Sequence, residues 1–141
     1  LSPERVDGLL DGAGLGYAKA AELNGWPGPL HVLELADALD LSADQYSNVS
    51  AIRASMLAKA KKLGEDLIAA EAALNALFLV GSPDLAAVTD ATAKIGSIEA
   101  ELRAAHLAAH LETKPLLSRH QRMIYAKHRG YDGGHDSHSA H

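Results

Sequence analysis

Apolar residues recur at Val49, Ile52, Met56, Ala60, Leu63, Leu67, Ala70, Leu74 and Leu77. The steps are threes and fours, a near-heptad seam sustained over about four heptads. Only an α-helix puts such a series on one face, and that helix would be roughly 50 Å long. Gly81-Ser-Pro-Asp84 interrupts it. Gly81 can close a helix in the left-handed conformation. Ser82 can cap the next, with Pro83 at its first position and Asp84 at its positive end. A second stripe then runs through Val88, Ala91, Ile95, Ile98, Leu102, Ala105 and Ala109, in a helix from about Pro83 to Thr113. Two long helices with so short a joint must pack antiparallel, as an αα-hairpin.

Shorter elements flank the hairpin. Pro29 suits the first turn of a helix carrying Leu30, Leu33, Leu35, Ala36 and Leu39 and ending near Asp40. Leu41-Ser-Ala-Asp-Gln45 then reads as a capping box, and Leu117-Ser-Arg-His-Gln121 repeats it 76 residues later, before a last helix to about Arg129. The expected fold is all-α: a long antiparallel hairpin domain over 30–129 with short flanking helices. Residues 1–29, with Gly12-Ala-Gly-Leu-Gly16 and Gly25-Trp-Pro-Gly-Pro29, are expected to be loose apart from a short helix around Leu15–Leu23. The polar, histidine-rich stretch 130–141 is expected to be a flexible tail.

Composition supports helix over sheet. The 141 residues include 27 alanines and 22 leucines, with only 4% aromatics. The net charge of −5 argues against a general nucleic-acid binder. The absence of cysteine removes disulfides, thiolate metal sites and cysteine nucleophiles. No run approaches 18 apolar residues, so no membrane span is expected.

The two Leu-Ser-x-x-Gln copies, one before each half of a helical hairpin, resemble the LTxxQ signature of the Spy/CpxP superfamily, with Ser42 and Ser118 in place of threonine. That superfamily includes periplasmic zinc-resistance-associated proteins and nickel/cobalt sensors. The resemblance covers roughly residues 29–129. It implies a bent four-helix hairpin, a homodimer or higher homo-oligomer, and a periplasmic mature form left by signal-peptide removal. Some relatives are ATP-independent holdase chaperones for unfolded clients; others bind metal and report it to a membrane-bound regulator.

The eight histidines favour metal. His106 and His110, at i and i+4, place two imidazoles on one helical face. His106 falls near the centre of the apolar stripe and His110 on its flank, so core packing competes with ligation. In the resembled sensors, ligands come from the short first helix and the end of the third. His31 and His110 stand one residue from those positions. Leu35, Arg53 and Lys114 stand near the sensors' second first-helix histidine, their carboxylate and their methionine, so that ligand set is not reproduced. A site from His31, His106 and His110 is the alternative. His135, His138 and His141 recur every third residue and can wrap Zn²⁺, Cu²⁺ or Ni²⁺, with binding fading below about pH 6 as imidazoles protonate. His120 and His128 read as surface residues, Met123 as core, and Lys59, Lys61 and Lys62 as a solvated face that could instead attract acidic clients. There is no Glu-x-x-His, Walker loop or nucleophile elbow, and no enzyme is expected. The expected function is metal buffering or sensing in heavy-metal resistance; the alternative is a holdase chaperone.

Overall fold

The computed structural model describes residues 1–130, and these hold helices and no strand. Seven α-helices follow in order: α1 (Pro3–Asp11), α2 (Lys19–Leu23), α3 (Pro29–Glu34), α4 (Ala36–Leu39), α5 (Ala43–Leu79), α6 (Leu85–Thr113) and α7 (Arg119–Arg129). A turn of 3₁₀ helix over Lys114–Leu116 joins the last two. Helices α5 and α6, of 37 and 29 residues, form the expected hairpin. Helix α6 begins two residues later than the Ser-Pro pair suggests. Asp84 is its cap, accepting from the Ala87 N–H at 2.7 Å. Pro83 therefore lies in the joint rather than in the helix.

The hairpin's two stripes face each other. Val49, Ala60, Leu67 and Ala70 of α5 and Ile98, Leu102 and Ala109 of α6 are buried. Each buried leucine contributes about 2–3 kcal/mol of transfer free energy. One apolar cluster fills the middle of the hairpin around Leu67 and Leu102; a second lies at its base around Val32, Leu39, Val49, Leu117 and Tyr125. Burial thins toward the far end. Phe78, Leu79, Val80 and Leu85 are exposed at the tip.

Residues 1–29 correct the expectation of a loose segment. Ser2 caps α1, Pro3 occupies its first turn, and Gly12 closes it at φ 70°. Helix α1 then lies on α5. It can do so because residue 64 is glycine: a Cβ there would collide with the Leu9 carbonyl. Leu9 and Tyr17 join the mid-hairpin cluster. Arg5 donates to the Tyr17 Oη at 2.7 Å and to Glu99 Oε1 at 2.9 Å, and Tyr17 donates to Glu99 Oε2 at 2.7 Å. This triad fastens the segment to α6. The segment buries apolar and polar groups together, and that offsets its many helix breakers.

The two capping boxes meet. Ser42 accepts from Gln45 N and Ser118 from Gln121 N, while each glutamine Oε1 accepts from its own serine N–H. That fixes the amide orientation and turns each Nε2 outward. The glutamines then bond each other reciprocally, at 2.8 and 3.0 Å. Gln45 also donates to the Leu116 carbonyl and Gln121 to the Leu39 carbonyl. The repeated motif is a clasp at the hairpin's base. Met123, read as core, is 53% exposed, because α7 buries Gln121 and Tyr125 instead. The 30–40 helix divides at Leu35 into α3 and α4, and Asp40 closes α4 at φ 52°.

Candidate functional site

Above the clasp, the docked N-terminal segment roofs a cavity of about 410 Å³. Its walls are the α1–α2 connection, the N-terminus of α3, and the facing sides of α5 and α6. His31, His106 and His110 all line it, so the fold gathers the three histidines that the sequence singled out. Arg53, Met56 and Leu57 contribute from α5, and Asp11 and Leu15 from the N-terminal side.

His106 is 4% exposed and stacks on Tyr17, with ring centroids 5.6 Å apart and planes at 16°. Burial, with His110 beside it, lowers its pKa to about 4. Its imidazole is therefore neutral at pH 7, the form that ligates metals. Its Nε2 is buried and has no hydrogen-bond partner.

His110 is also buried. Its Nδ1 lies 2.7 Å from the Trp26 carbonyl and 3.5 Å from Glu22 Oε2. Donation from Nδ1 to that carbonyl leaves the lone pair on Nε2, the usual outer-shell arrangement of a ligating histidine. Burial pushes the His110 pKa down; the Trp26 carbonyl and Glu22 push the other way, and His31 lowers it further. The close approach needs glycine at 28, where a Cβ would stand 2.6 Å from His110 Cε1. His31 is half-buried, with Nδ1 2.7 Å from Glu34 Oε1.

Behind the cavity sits a buried polar knot that the sequence reading missed. Glu22 accepts from the Tyr125 hydroxyl at 2.5 Å and from Arg129 Nε at 3.2 Å, and the Gly28 N–H donates to the Tyr125 hydroxyl. Burial and the Glu22 charge hold the Tyr125 pKa well above the ordinary phenol value. The knot ties α2 and the Trp26–Pro29 turn to α7 and so holds the cavity's roof. Its only sequence signal was one acidic residue inside a weak helix.

Chemically, the site offers imidazole nitrogens, one guanidinium and apolar walls. Among the described residues, no three His, Cys, Asp or Glu side chains are close enough together to hold a metal ion. The three histidines share a cavity without converging on one point. Lys114, read beside the ligand region, lies over the Trp26 ring at 4.1 Å. His120 and His128 are exposed, as expected. Lys59, Lys61 and Lys62 are exposed too, and Lys62 pairs with Asp66. His135, His138 and His141 lie outside the described residues. Among those that are described, no helix is long and apolar enough to cross a membrane. No protein-family model, no curated protein and no solved structure matches this chain.

Proposed function

We propose that this chain is a non-catalytic metal-binding protein that buffers or senses Zn²⁺, Cu²⁺ or Ni²⁺ in the periplasm. The observation behind this reading is the shared cavity: His31 and the His106/His110 pair, far apart in sequence, line one space. At least one of these imidazoles is held neutral at pH 7. Ligation needs the imidazoles to turn toward a common point within that space. His135, His138 and His141, whose every-third spacing supplies further imidazoles, make a second set. A homodimer, and a membrane-bound regulator that reads the loaded form, complete the proposal.

Metal content after dialysis of the full-length chain against Zn²⁺, Cu²⁺ or Ni²⁺ tests it. A variant with His135, His138 and His141 replaced by alanine should keep about one ion per chain, following ordinary three-histidine site chemistry. His31→Ala in that background should lose it. Wild-type binding below one ion per dimer at neutral pH would sink the proposal. A second reading, a holdase chaperone, draws on Phe78, Leu79, Val80 and Leu85 exposed at the tip. It requires metal-free suppression of client aggregation that weakens when those residues are made polar.

A further inference from the structure

The cavity is far larger than one ion needs, and its contents are wrong for a cation alone. At about 410 Å³ it lies within the size range of small-molecule pockets. Its walls include Leu15, Leu30, Met56 and Leu57. Two polar groups among these walls lack partners. Arg53 Nε and His106 Nε2 are both buried without a hydrogen bond. Orphaned buried donors and acceptors are costly, so a pair on one cavity points to a group that satisfies both.

We infer that the cavity binds a small organic monoanion, a carboxylate on a short apolar body, with its head held by Arg53 and His106. Guanidinium and carboxylate are matched in shape and charge, and the match strengthens where water is excluded. Arg53 comes from α5 and His106 from α6, so the head would bridge the hairpin's two long helices. The apolar body would lie against the leucines and Met56. One charge is favoured over two. Arg53 is the single arginine or lysine on the walls, the neutral His106 imidazole adds no charge, and Asp11 at the exposed rim repels a second negative group.

This inference does not need a metal and goes beyond the metal proposal. If a metal also enters, it would add two positive charges beside Arg53, and the same carboxylate would offset them. Anion and metal would then each tighten the other.

The test uses the full-length chain, stripped with chelator, and isothermal titration with hexanoate and with hexanol. Hexanoate should bind saturably at one site per chain, and hexanol at least tenfold more weakly. Arg53→Gln should weaken hexanoate at least tenfold, while Arg53→Lys should recover part of the loss. In the wild type, hexanoate should also shift the His106 ring signals in NMR spectra recorded at pH 7, a readout independent of whether Arg53→Gln folds. Zinc content of unstripped wild type and Arg53→Gln after dialysis against Zn²⁺ reports the metal proposal separately. Absence of saturable hexanoate binding, equal affinity for hexanol, or unshifted His106 ring signals would each overturn the inference.

Discussion

Replacing Gln121 with alanine removes the centre of the clasp. Gln121 Oε1 accepts from Ser118 N and Gln45 Nε2, and its Nε2 donates to the Leu39 carbonyl and Gln45 Oε1. Two of the stranded partners recover water cheaply: Ser118 is exposed and Gln45 half-buried. The Leu39 carbonyl does not, because Leu39 is 2% exposed. Four bonds at about 0.5–1 kcal/mol net, with a desolvation penalty of about 1 kcal/mol for that carbonyl, give a loss of about 3–5 kcal/mol. For a chain of this size that is a drop in Tm of roughly 10–20 °C. Urea melts followed by circular dichroism measure it, with Gln45→Ala and the double variant completing a cycle. The two glutamines should show a coupling of about 1–2 kcal/mol. A loss below about 1 kcal/mol, or strict additivity in the double variant, would show that the motif caps two helices independently and joins nothing.

Asp40→Gly should raise stability by about 0.5–1 kcal/mol, because residue 40 sits at φ 52° with its side chain exposed; a denaturant midpoint settles it. Glu22→Ala should cost about 3–5 kcal/mol by removing the partner of buried Tyr125 and Arg129, and should expose residues 13–28 to limited proteolysis. An unchanged cleavage pattern would show that the knot does not hold the segment. Stability should fall as pH drops from about 6.5 to about 4. Over that window the unfolded chain protonates His106 while the folded chain, with its pKa lowered to about 4, does not. A His106→Phe variant should show a shallower slope in the same window.

The long helices were legible because their period is set by packing against one another. Every position of the α5 stripe, from Val49 to Leu77, is buried or half-buried. Both capping boxes were legible because capping is local. Their meeting was not, since nothing within five residues of Gln45 says that its outward amide faces Gln121. The N-terminal segment was misread for a related reason. Ser2, Pro3 and Gly12 are ordinary start and stop signals, but α1 is only 9 residues long, and it is held by Gly64 and Glu99 from elsewhere in the chain. At the site, the i, i+4 spacing identified His106 and His110. Glu22 and Arg53 carried no local pattern; only the tertiary arrangement gives one a buried hydroxyl and the other a cavity.

Residues 11–15 and Ala18 are one wall of the cavity, so the cavity exists only while the N-terminal segment is docked. Anything that binds there selects the docked form and is, by mass action, a tether for it. The converse holds as well. A partner that peels α1 away from Gly64 opens the compartment and releases whatever it contains. Occupancy inside and accessibility outside are therefore one equilibrium, and a surface that never touches the contents can still report whether the compartment is full.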